Sequence, residues 1–241
     1  MLEATAWGAL GASSLLIGAL LGATGRIHKR AVGMILGFGA GALISAVSFE
    51  LTEEALELGG ADATSAGLAL GALAFFAGDS VLHHRGAGDR KLVRAEEDAS
   101  GSALLLGATL DGIPESMVIG ITLLAGGEVS VAMLAAVFIS NLPEGIGGAS
   151  GMRAAGSSTA SVLASWTLVA GVCAISAGIG YSALDGASDE LVALIQGFAA
   201  GGVLTMLADA MIPDAYRQGG RATGLLTVLG FALAALLSAS G

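Results

Sequence analysis

The chain is poor in several residue types at once. It has one cysteine, three prolines, ten lysines and arginines, and 5% aromatic residues in 241 positions. A single cysteine (Cys173) excludes a disulfide framework and any paired-cysteine metal knuckle. The charged fraction is 12%, half the roughly 25% of soluble domains. The net charge of -10 leaves no basic face for nucleic acid. Glu3 stands where a cleavable signal peptide would have a basic start, so none is expected. What is abundant is apolar and small: 54% hydrophobic residues, 39 glycines and a mean hydropathy of +0.82. These values predict an all-α integral membrane protein, one membrane domain over residues 1–241.

A bilayer core takes about 20 apolar residues per helix. Apolar runs between charged or Gly/Ser-rich breaks give eight expected spans: Thr5–Ala23, Ala31–Ala55, Ala63–Leu82, Ser102–Ala125, Val129–Ser150, Ser157–Leu184, Leu191–Pro213 and Ala222–Ser238. The basic residues test the count. Arg26, Lys29 and Arg30 follow the first span; Arg85, Arg90, Lys91 and Arg94 the third; Arg153 the fifth; Arg217 and Arg221 the seventh. All ten therefore fall in odd-numbered connections. Positive charge stays inside, so those connections are expected in the cytoplasm and both termini outside. Residues 84–101 mix both charge signs and read as a flexible cytoplasmic loop.

The chain also resembles itself. Gly37–Ala55 and Gly197–Ala215 align without gaps at an offset of 160, with Gly37/Gly197, Phe38/Phe198, Ala40/Ala200, Gly41/Gly201 and Ala55/Ala215 identical. Ser45/Thr205 and Glu54/Asp214 are conservative. The charge rule orients these two segments oppositely, which is the pattern of an inverted repeat. Spans one to three and six to eight would be the two copies, with spans four and five between them.

Those two central spans carry acids at mid-depth, where a carboxylate costs about 2.5 kcal/mol or more and marks function by default. The fourth reads Thr-Leu-Asp-Gly-Ile-Pro-Glu-Ser over 109–116, and the fifth Ser-Asn-Leu-Pro-Glu-Gly over 140–145. Asp111 and Glu115 are four apart on one helix face; Asn141 and Glu144 are three apart. Each of the three prolines, Pro114, Pro143 and Pro213, immediately precedes an acid. Proline frees the carbonyl four residues earlier, so a kink is expected there. Carboxylate, amide and carbonyl oxygens suit a divalent cation. Three crowded acids do not all stay ionised without a positive partner.

At these motifs the chain resembles the ZIP family of divalent-metal transporters, over essentially its whole length. The resemblance implies eight spans in a 3+2+3 inverted-repeat fold, alternating access and often a homodimer in the plasma (inner) membrane. It places the metal on Asp111, Glu115, Asn141 and Glu144. Asp111 stands where the family has a histidine, and Gly112 where it has an asparagine. Gly112 cannot ligate, so a second metal position is expected to be absent or weak. His28, His83 and His84 lie at cytoplasmic ends, leaving an all-oxygen site that is expected to accept Mn²⁺ or Fe²⁺ alongside Zn²⁺. The metal is substrate, no resident cofactor is expected, and the other partner is the bilayer.

Further acids mark a possible pathway. Glu50 and Glu54 stand with Glu53 and Glu57 at the outer end of span two, Asp79 and His83 at the inner end of span three, and Asp209 and Asp214 near the inner end of span seven. Enzymatic function is not expected. Asp111 and Asp209 lack the Gly-x-Gly-Asp setting of an intramembrane aspartyl protease, and no His-Glu-x-x-His or phosphate loop occurs. The alternative is a proton-linked exporter of a small organic solute, which the scarcity of aromatics near the central motifs disfavours.

Overall fold

The computed structural model describes residues 1–82, 101–126, 128–184 and 186–239, without the side chains of 81, 82, 101–104, 106, 107, 110, 111 and 124–126. Among the described residues every regular element is helical. They are α1 (Leu2–Ala23), α2 (Lys29–Ala46), α3 (Glu53–Leu82), α4 (Gly101–Gly126), α5 (Val131–Ala154), α6 (Thr159–Leu184), α7 (Asp189–Met206), α8 (Ile212–Gly219) and α9 (Ala222–Ser238). Two π-helical segments, Val47–Thr52 and Leu207–Met211, join α2 to α3 and α7 to α8. Ser130 and Ser188 begin α5 and α7 as N-caps, accepting from the Met133 and Leu191 amides.

Five apolar stretches are long enough to cross a membrane: Leu2–Ala23, Lys29–Ser80, Val131–Ala154, Thr159–Leu184 and Asp189–Gly219. Gly112–Leu123 and Ala222–Ser238 are shorter apolar helices. The second stretch has 52 residues, ~78 Å if straight, against a bilayer core of about 30 Å. It is not straight. Gly60, at φ 75° and ψ -178°, breaks it inside α3. That conformation is essentially restricted to glycine. The described residues thus form eight helical rods, and two of them run past their expected C-terminal ends. Leu191–Pro213 continues to Gly219, and Val129–Ser150 continues to Ala154.

The offset of 160 seen in the sequence reappears in the backbone. Lys29–Ala46 and Asp189–Met206 are helices of 18 residues each, and a π-helical segment follows both. Gly60 then pairs with Gly220, at φ 70° and ψ -158°. Packing repeats as well, crosswise: α2 lies on α9, and α7 on α3. The crossings are close because they are lined with glycine. A methyl group on Gly41 would overlap the Thr227 carbonyl, and one on Gly201 the Leu68 carbonyl. Gly230 meets the carbonyl of Phe38, and Gly71 that of Phe198. Small residues at such interfaces let backbones approach and gain dispersion contacts that larger side chains would prevent.

Between the copies, α1 lies on α5 through Gly18 and Gly145, and α6 on α4 through Gly180 and Gly120. One apolar cluster draws on α2, α4, α5 and α7, including Leu36, Leu43, Ile119, Met133 and Val203. A second forms around Trp166 of α6, fully buried against Gly148 of α5. α4 and α5 are therefore packed by α1, α2, α6 and α7.

Candidate metal centre

Pro114 and Pro143 lie inside α4 and α5, and both helices run on through them. Each proline precedes the glutamate of its helix, and the two glutamates are buried to different degrees. Glu115 is 1% exposed, and Glu144 is half-buried. Ser140 of α5, fully buried, ties the helices together: its Oγ lies 3.2 Å from Glu115 Oε2 and 3.0 Å from the Val137 carbonyl oxygen. A hydroxyl has one proton and two lone pairs. When Ser140 donates to Glu115 it serves the ionised carboxylate. When it donates to Val137 it can accept from a protonated one. The same geometry therefore accommodates Glu115 in either state.

Asn141, the next residue, is 0% exposed, and among the described residues neither its Oδ1 nor its Nδ2 has a hydrogen-bond partner. Leaving a buried polar atom unsatisfied costs roughly 1–3 kcal/mol. Asn141 follows Ser140, which bonds Glu115, and precedes Glu144 by three residues on the same helix. Gly39 of α2 backs this face, since a methyl there would stand 3.1 Å from the Ser140 Cα.

Sequence reasoning passed over three residues at this place. Ser140 is one. The others are Cys173 and Ser116. Cys173 of α6 is fully buried, beside Ser116 and within electrostatic reach of Glu115 and Glu144. A methyl on Gly112 would stand 2.7 Å from its Sγ. Gly112 is thus the residue that makes room for the thiol. The sequence carries a hint in the chain's one cysteine lying within a span, but not which face of α6 it occupies. Among the described residues no three His, Cys, Asp or Glu side chains converge closely enough to hold a metal ion.

The remaining predicted residues divide. Asp111 falls within α4, but its side chain lies outside those described. His83 and almost all of the 84–101 connection lie outside the described residues. Asp79 is half-buried near the end of α3. Asp209 is exposed on the second π-helical segment, whereas Asp214 is 4% exposed and accepts from Arg217 at 3.2 Å. Glu50 and Glu54 come together with residues distant in sequence. Ser238 Oγ donates to Glu50, and Gln196 Nε2 donates to Glu54 Oε2 at 2.9 Å.

No family model matches the chain, and no curated protein matches it.

Proposed function

We propose that this protein is a ZIP-like transporter that moves a divalent cation across the membrane into the cytoplasm. The observation that carries the reading is the buried group on α4 and α5: Glu115 hydrogen-bonded to Ser140, with the unbonded amide of Asn141 beside it and Glu144 one turn on. Carboxylates and an amide oxygen are ligands for divalent metals of intermediate hardness, and a nearby thiol admits softer ones. Glu115 and Glu144 chelate the ion, Asn141 adds its oxygen, and Asp111 completes the set from the same helix face as Glu115.

The eight rods support eight spans, and the repeat supports the 3+2+3 arrangement. With the basic residues inside, the two copies run in opposite directions, and α4 and α5 lie where such transporters hold their substrate. Movement of α4 and α5 against the interlocked copies would expose the site to one side and then the other. Ser140, serving both protonation states of Glu115, lets metal and proton exchange at one carboxylate without leaving a buried charge unsatisfied.

Uptake into proteoliposomes tests this. Wild type takes up at least one of Zn²⁺, Mn²⁺, Fe²⁺ and Co²⁺, and Glu144→Ala or Glu115→Ala reduces the rate at least tenfold while the protein still inserts. The thiol predicts that Zn²⁺ and Co²⁺ compete well with Mn²⁺. Wild-type vesicles that accumulate none of the four ions would sink the reading.

A further inference from the structure

The two copies end differently just after their π-helical segments. In the second copy Asp214 is neutralised by Arg217, one turn further along the same helix. The equivalent residues in the first copy, 160 positions earlier, are Glu54 and Glu57. Where one copy has a guanidinium, the other has a second carboxylate. Among the described residues Glu54 makes no ion pair, and the charges that reach it are those of Glu50 and Glu57, both negative. Its bonded neighbour is the Gln196 amide, which is 0% exposed. The Nε2 of that amide is committed to Glu54, while its Oε1 is buried with no hydrogen-bond partner. The carboxylate fixes this orientation, because the flipped amide would set oxygen against oxygen. Ser238 from the end of α9 holds Glu50 at the same place.

We propose that Glu50, Glu54 and the Gln196 amide oxygen form a second cation site, separate from the Glu115–Glu144 pair, that takes a hard divalent cation. The ion does for Glu54 what Arg217 does for Asp214. Two carboxylates and an amide oxygen, completed by water, form a set suited to Mn²⁺, Mg²⁺ or Ca²⁺. On the transport reading given above, on which only its role depends, this site lies at the outer mouth and supplies the central one. The acids also draw cations from solution before binding them.

Mn²⁺ is the probe, and its binding to the purified full-length protein is read by loss of the free-ion electron paramagnetic resonance signal. The variant Glu115→Gln/Glu144→Gln retains one bound Mn²⁺. Adding Glu54→Gln weakens that binding at least tenfold, and so does adding Gln196→Leu. Because Gln196 is buried, Glu57→Arg in the same background is the milder test: it restores the second copy's charge pattern and displaces the ion while the protein elutes unchanged on size exclusion. No Mn²⁺ bound to the double variant overturns the proposal, as does retained Mn²⁺ that Glu54→Gln and Glu57→Arg leave unaltered. These outcomes do not depend on uptake, so loss of one reading is distinguishable from loss of the other.

Discussion

The copies at 29–82 and 189–238 share a backbone down to a π-helical segment and a positive-φ glycine, yet they differ in charge where each passes that segment. Glu50, Glu53, Glu54 and Glu57 crowd one; Asp214 and Arg217 balance the other. Backbone geometry is held in common because each copy packs on the other: α2 on α9 and α7 on α3 must both fit. The side chains beyond the crossings are under no such constraint. The same scaffold can therefore present different chemistry at its two corresponding ends.

The largest expected effect comes from breaking the shared crossings. Gly41→Leu or Gly201→Leu drives a side chain into the Thr227 or the Leu68 carbonyl, with backbone and not a flexible side chain in the way. Either is expected to abolish a monodisperse peak on size exclusion. A well-behaved Gly201→Leu protein would show that the two crossings are not equivalent. Gly60→Ala and Gly220→Ala come next. Neither meets an atom within 4 Å, so each reports backbone strain alone, about 1–3 kcal/mol. Equal shifts in thermal midpoint would sharpen the equivalence, and a shift in only one would break it. Smallest is Arg217→Ala. The arginine side chain is 43% exposed and its partner 6%, so screening limits the loss to about 1 kcal/mol. That loss should shrink in high salt; a salt-independent loss would assign it to packing of the arginine stem.

How much of this was legible in the sequence depends on what each feature needs. The all-helical, apolar character was, because apolar length is a property of the chain itself. The offset of 160 was visible too, and the Gly59–Gly60 and Gly219–Gly220 pairs extend it past Ala55/Ala215. The π-helical segments were not: one copy has Pro213 just after it and the other Glu53, so no residue type marks them. Within the site, Glu115, Asn141 and Glu144 stood out as polar residues inside apolar runs. Ser140 and Cys173 did not, since serine and cysteine are common packing residues in such helices. What makes them neighbours of the acids is the way α5 and α6 are turned, and the packing of α1, α2 and α4 decides that. Asp209 shows the converse. It reads as a twin of Asp214 in the sequence, but it is exposed while Asp214 is buried.

The crosswise packing of the copies also sets a timetable for synthesis. α2 leaves the ribosome early, but the surface it packs against is α9, at the other end of the chain. At about 5–20 residues per second, α2 waits on the order of ten seconds or more for its partner. During that time its glycine-lined face, with backbone that in the finished protein lies against Thr223 and Thr227, is open to any other helix in the bilayer. α3 waits a shorter time for α7. α5 and α6, on which α1 packs, are made before α7 and α9, so the α2–α9 crossing is the late one, and α9 is the helix that closes over α2.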